Sequence, residues 1–211
     1  MPGSEAALQS LMRNAGMEPD SDQSRQLQAY LALLKKWNSR MNLTSSTSWD
    51  VVGPFFREGL WAAGLYPEDA TRHLDIGSGA GFPAVLLKIL KPHIRLDLVE
   101  SRERKGIFLE TAASALKLSG TSVHTMRLQA FLRQSGREEA WDCVSWKALK
   151  LSREDVRVLR EHATGRTQLW MFHGSERAVE DPASLEQYFR LLRTEMFPDR
   201  KLWALSIYLP R

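Results

Sequence analysis

Cysteine is nearly absent from this chain. The single one, Cys143, excludes an internal disulfide framework and any cysteine-based metal cluster, and no metal is expected. No run of about 18 apolar residues occurs, so neither a membrane span nor a membrane partner is expected. The N-terminus, Met1-Pro2-Gly3-Ser4-Glu5, lacks the basic and then apolar layout of a secretory signal, and a cytoplasmic location is expected. Internal repeats and low-complexity tracts are missing too. Charge is only mildly one-sided: 29 Lys and Arg against 25 Asp and Glu leave +4, which permits a phosphate-bearing partner without requiring one. What remains is a 211-residue chain, 43% apolar, with enough core for one α/β domain and a short extension.

The most informative stretch is Leu74-Asp75-Ile76-Gly77-Ser78-Gly79-Ala80-Gly81-Phe82-Pro83. It reads as the end of a buried strand, a glycine-spaced turn, and a helix opened by Pro83, whose fixed φ suits a first helical turn. Glycines at alternate positions let a flat ligand lie against the main chain, with amide N–H groups facing its polar parts. The spacing is G-x-G-x-G led by an acid, not the G-x-G-x-x-G of dinucleotide binders. It resembles the first motif of class I S-adenosylmethionine (SAM) methyltransferases. That resemblance implies SAM as cofactor, held by Asp75 at the methionine end and by Gly77, Ser78, Gly79, Gly81 and Phe82 along the loop. About 20 positions past Gly81, the run Ile94-Arg95-Leu96-Asp97-Leu98-Val99-Glu100 ends in an acid. In a doubly wound sheet that carboxylate caps the second strand beside the loop, where it can accept bonds from both ribose hydroxyls.

Helical periodicity predicts an N-terminal extension over residues 1–70, ahead of a compact methyltransferase unit over 71–211. Its helices are expected over 4–14, 21–38 and 49–65, with Ser21 or Asp22 as a cap and a polar loop over 39–48. From Arg72 strand and helix alternate, the signal for a mostly parallel sheet covered on both faces. Strands are expected near 72–76, 95–99, 122–126, 141–146 and 167–172. Helices are expected near 82–91, 103–118, 128–135, 152–163 and 175–186. Two further runs, 188–197 and 201–209, are joined by the turn pair Pro198-Asp199 and complete a seven-stranded sheet with a terminal antiparallel hairpin. The first of them could instead be helical.

The acceptor is constrained by chemistry. Attack on a pyrimidine carbon needs a nucleophile, and Cys143, inside the fourth strand, reads as a core thiol. Exocyclic amines commonly meet an Asn/Asp-Pro-Pro-aromatic turn, but Asp142-Cys143-Val144-Ser145-Trp146-Lys147 has no proline. A guanine N7 is already nucleophilic, carries no proton and needs no general base.

The chain resembles the glucose-inhibited division protein B family, the guanine-N7 methyltransferases of bacterial small-subunit ribosomal RNA, over roughly residues 24–175. The discriminating motif is Tyr30-Leu31-x-Leu33-Leu34-x-x-Trp37-Asn38-x-x-x-Asn42-Leu43-Thr44. The glycine loop and Leu98-Val99-Glu100-Ser101 with Lys105 and Phe108-Leu109 match as well. The resemblance implies a Rossmann-like fold and small-subunit ribosomal RNA, or the pre-assembled small subunit, as partner of a monomeric enzyme. It makes Asn38, Asn42 and Thr44 cleft candidates, and it places Ser101, Leu128 and Gln129 at the cofactor. Lys147, Asn42 and His173 are then the positioning candidates, Lys147 also serving the cofactor. Departures from the family pattern fall at Pro54-Phe55 and Glu58-Gly59-Leu60 in the third helix, where Arg-His and Asp-Ser-Leu are usual. Others fall at Trp146-Lys147-Ala148 for Ser-Arg-Ala, at His173-Gly174 for Lys-Gly, and at Gln129 for an acid. These leave open another acceptor, protein or small molecule, or a SAM- or ribosome-binding protein without catalysis. Most tryptophans read as core. Trp146 is the one expected to end a strand facing the cleft, and Arg102, Arg104 and Lys105 are read either as phosphate contacts or as a solvated helix face.

Overall fold

A computed structural model describes residues 3–136, 140–174, 182–200 and 202–211. The expected extension is three helices: α1 (Ser4–Asn14), α2 (Asp22–Met41) and α3 (Trp49–Leu65). Ser21 caps α2, its side chain accepting from the Ser24 N–H at 3.2 Å. This helix runs three residues past its expected end and takes in the start of the predicted polar loop. The alternating part follows as β1 (Arg72–Ile76), α4 (Ala84–Leu90), β2 (Arg95–Val99), α5 (Glu103–Ala115), β3 (Thr121–His124) and α6 (Leu128–Gln134). It continues with β4 (Cys143–Lys147), α7 (Arg153–His162), β5 (Gln168–His173), α8 (Pro182–Tyr188), β6 (Phe189–Met196) and β7 (Ala204–Pro210). Pro83 stands at the N-cap of α4, ahead of its first turn. The predicted helix over 175–186 lies partly outside the described residues, which begin again with α8. The ambiguous run after Tyr188 is a strand.

The strands form one seven-stranded sheet in the order β3-β2-β1-β4-β5-β7-β6. The first five run parallel, and β7 is antiparallel to both β5 and β6. Among the described residues no helix is long and apolar enough to cross a membrane.

Strand periodicity then sorts the central residues onto two faces. Leu74, Ile76, Val144 and Trp146 pack with Phe131, Val156 and Leu159 of α6 and α7. His73, Asp75, Ser145 and Lys147 take the opposite face, whose covering includes the extension. There Tyr30 of α2 and Val52 and Phe56 of α3 share a core with Val85, Leu98 and Phe108. This alternation corrects the expectation for Trp146. Its side chain is fully buried against α6 and α7, so it cannot stack on a base. Cys143, also fully buried, is a core thiol as expected.

Candidate functional site

The parallel strands end together, and β1, β2 and β4 deliver their last residues to one rim of the sheet. There the chain leaves β1 through three glycines with positive φ: Gly77 at 68°, Gly79 at 58° and Gly81 at 87°. They serve different ends. A Cβ on Gly81 would meet Val85 Cγ2 at 2.5 Å and Tyr30 Oη at 2.9 Å, so this glycine lets the loop pack onto the extension. A Cβ on Gly79 would find nothing nearer than the Gly77 carbonyl oxygen at 3.7 Å and Lys105 Nζ at 3.8 Å. Gly79 therefore leaves its backbone open to an incoming group.

The loop is held from three sides. The Tyr30 hydroxyl donates to the Ala80 carbonyl oxygen. Ser78 is buried, and its hydroxyl donates to the Asp75 carbonyl oxygen at 3.0 Å. Phe82 is buried in an aromatic group with Tyr30, Phe55 and Phe56, at centroid distances of 5.4, 5.1 and 5.6 Å. Ser78, Gly81 and Phe82, predicted at the cofactor, thus have packing and hydrogen-bonding work inside the fold.

Glu100 stands one residue past β2 and is 6% exposed. Its Oε2 accepts the Gly79 N–H at 2.9 Å and its Oε1 accepts the Arg102 N–H at 2.8 Å. The carboxylate ties the glycine loop to the start of α5 and keeps a second acceptor site on each oxygen. Beside it opens a cavity of about 220 Å³, lined by Gly77, Ser101, Leu128 and Gln129 together with Ile76, Val99, Leu149, Lys150, Leu151 and Asp155. Only Gly77, Ser101, Leu128 and Gln129 of these are among the residues the sequence placed at the cofactor. Asp155 is placed by the capping box it forms with Ser152 at the start of α7, and the Gln129 amide donates to its Oδ1 at 3.1 Å. The signal was available: Ser152-x-x-Asp155 starts a helix just past the fourth strand.

On the extension-facing side Asp75 is 2% exposed and accepts the Ser145 hydroxyl at 2.5 Å. Ser145 Oγ lies 2.7 Å from His73 Nε2. Burial pushes the Asp75 carboxyl up to about 7, against the pull of Ser145 and Lys147, and pushes His73 down to about 3. His73 is thus neutral at pH 7. With Ser145 donating to Asp75, its Nε2 carries the proton and its Nδ1 is the bare nitrogen, consistent with the lack of a partner for Nδ1 among the described residues.

Lys147, at the end of β4, meets Glu58 of α3 at 2.5 Å. Two positions that depart from the family pattern therefore meet as an ion pair. Of the other positioning candidates, Asn42 stands at the end of α2, and His173 ends β5 one position past Phe172, the register partner of Lys147. Asn42 is exposed and closes α2 in the left-handed conformation (φ 49°), while the Asn38 side-chain oxygen accepts the Thr44 N–H at 2.8 Å. His173 bridges β5 and β7, with Nδ1 2.8 Å from the Gly174 carbonyl oxygen and Nε2 2.8 Å from Ser206 Oγ. Arg102 and Arg104 are exposed, and Lys105, half-buried, reaches back beside Gly79.

The fold is shared with solved structures. A mutant of MtNAS in complex with S-adenosylmethionine superposes with a TM-score of 0.60 at 14% identity, over 85% of this chain and 77% of that one. Ribosomal protein L11 methylase from Lactobacillus delbrueckii subsp. bulgaricus gives 0.55 at 11% identity, over 72% and 76%. In sequence, ribosomal RNA small subunit methyltransferase G of Pseudomonas aeruginosa is 36% identical over 177 residues, 83% of this chain and 80% of that protein. The protein of the same name from Roseiflexus castenholzii is 38% identical over 135 residues, 64% of this chain but only 58% of its own length. Residues 23–195 match the family model described as rRNA small subunit methyltransferase G, and the chain belongs to that family.

Proposed function

We propose that the protein is a SAM-dependent methyltransferase that places a methyl group on a guanine N7 of small-subunit ribosomal RNA, free or within the assembled subunit. One observation carries the cofactor part: the open backbone at Gly79, with the Glu100 carboxylate at 2.9 Å, borders a cavity that combines apolar walls with polar side chains. The donor set suits SAM. Gln129 and Asp155 offer hydrogen-bonding groups to an adenine amine, between the apolar walls Leu128 and Leu151. The free acceptor sites of Glu100 suit a ribose diol, with Ser101 beside them. Asp75 suits the α-ammonium of the methionine end. When bound there, SAM supplies a methyl group on a sulfonium, open to in-line displacement. The protein's work is then positioning. The N7 lone pair forms the new C–N bond as the C–S bond breaks, and no proton leaves, so the transfer requires no general base.

The family relationship supports the RNA acceptor, and the mildly basic chain permits it. Transfer of labelled methyl from SAM to small subunits that lack the modification, followed by nucleoside analysis, tests this reading. Label in 7-methylguanosine is the expected result. Label in another nucleoside, or in protein, would move the acceptor to a different class.

A further inference from the structure

We infer that Glu58 is a positioning residue for the acceptor base, acting through Lys147, and that Phe55 and Trp203 complete this acceptor side of the cleft. The inference rests on the guanine-N7 reading above. Glu58 lies in the middle of α3 and is 2% exposed, an acid among Phe55, Phe56, Leu60 and Trp61. Both of its oxygens are engaged. Oε1 takes the Lys147 ammonium at 2.5 Å, and Oε2 takes the Trp203 indole N–H at 2.5 Å. Lys147 Nζ also sits 4.5 Å from the Phe55 ring centre and 5.3 Å from that of Trp203. The Arg200 guanidinium lies 4.7 Å from the Trp203 ring centre. Phe55 in turn touches Phe82 of the glycine loop, so the cluster adjoins the loop next to Asp75.

A pair that only stapled α3 to the sheet would be an expensive staple. Buried ion pairs repay their desolvation poorly, and apolar residues of similar size often do as well. The geometry gives this pair a second use. Lys147 Nζ has three donors, and among the described residues one goes to Glu58. A guanine presents O6 beside N7 on one edge, so an ammonium that donates to O6 sets N7 in line for attack. As N7 takes the methyl group the base acquires positive charge, which a bare ammonium would oppose. Glu58 neutralises Lys147, fixes its direction and leaves its remaining donors for O6. Trp203 holds the second oxygen of Glu58, so the carboxylate cannot swing away.

The test compares wild type with Glu58→Gln, Glu58→Asp and the double variant Glu58→Met/Lys147→Met, in methyl transfer to unmodified small subunits. SAM affinity and melting temperature serve as controls. The charged and titratable groups facing Lys147 are Glu58 from α3, Asp75 from β1 and Arg200 from the turn before β7. Burial and Arg200 push the ammonium down, while Glu58 and Asp75 hold it up. Removing the Glu58 charge therefore lowers it further. In Glu58→Gln the expected result is kcat down about 100-fold, the cost of roughly 1 Å of misplacement, with KM for the subunit and SAM affinity little changed. The alkaline limb of the kcat profile moves to lower pH by about one unit or more. Glu58→Asp recovers part of kcat and restores the limb. The double methionine variant keeps its melting temperature but not its turnover. If Glu58→Gln folds, binds SAM and matches wild type in kcat and alkaline limb, or if the double variant turns over normally, the inference is overturned while the parent reading stands. A wild-type protein that transfers no methyl group to the subunit fails at the parent reading and takes this one with it.

Discussion

Burial holds the Asp75 carboxyl near 7, above its ordinary 3.8, even with the Ser145 hydroxyl 2.5 Å away. Between pH 4 and 7 the folded chain thus keeps a proton that the unfolded chain has lost. Stability falls as pH rises through that window and levels off above it. A cationic ligand beside Asp75 favours the charged form, so SAM binding releases a proton and affinity rises with pH up to about 7. Calorimetry in buffers of different ionisation enthalpy reads that release, and Asp75→Asn abolishes it. Gly79 and Gly81 differ in what a methyl group would do. Gly81→Ala forces a Cβ onto Val85 and Tyr30 and lowers the melting temperature sharply. Gly79→Ala has room, costs only the 1–2 kcal/mol of a left-handed alanine, roughly, and acts chiefly on SAM affinity. Thermal unfolding and calorimetry on both variants separate the cases. The three glycines were legible in the sequence, but their division of labour was not. Whether a glycine faces a ligand or a neighbouring helix depends on long-range packing, here of Gly81 on Tyr30, 51 positions earlier in the chain.

The helices explain the most discriminating sequence motif in a way its pattern did not announce. Trp37-Asn38 and Asn42-Leu43-Thr44 end α2 and turn the chain: Asn42 supplies the left-handed residue, Asn38 holds the Thr44 N–H, and Leu43 is buried. Asn38→Ala is expected to cost about 1 kcal/mol of stability, as for a lost cap. Asn42→Gly is expected to leave stability within about 0.5 kcal/mol, since glycine adopts this conformation freely. Urea midpoints on the two variants check both, and a large loss at Asn42→Gly would point to a side-chain role beyond the cap. Strand and helix order from Arg72 onward was readable because short apolar runs alternate with longer stretches of helical periodicity. The end of α2 was misjudged because Ser39, Arg40 and Met41 are polar or weakly patterned, and only the αL cap at Asn42 stops the helix. Lys147 was legible as a strand-end cation. Its partner Glu58, 89 positions away, was not, although an acid amid apolar helix positions hints at a buried pair.

Across the molecule, the helical extension is joined to the sheet at the rim where the site lies. Glu58 reaches Lys147 and Trp203, Arg57 pairs with Asp199 at 2.7 Å, and Trp61 packs 5.4 Å from Phe197. Thus α3 grips the turn between β6 and β7 while α2 bolts the glycine loop through Tyr30. The extension braces the glycine loop and the end of β4 from outside the cavity, whose lining comes from residues 76–155. Everything proposed about the acceptor depends on SAM occupying the cavity beside Gly79 and Glu100. Calorimetric titration of SAM into the purified protein measures that directly. The account predicts one-to-one binding with a micromolar dissociation constant. Folded protein that gives no binding heat at any SAM concentration or temperature tried would contradict it, and would leave the glycine turn as architecture alone.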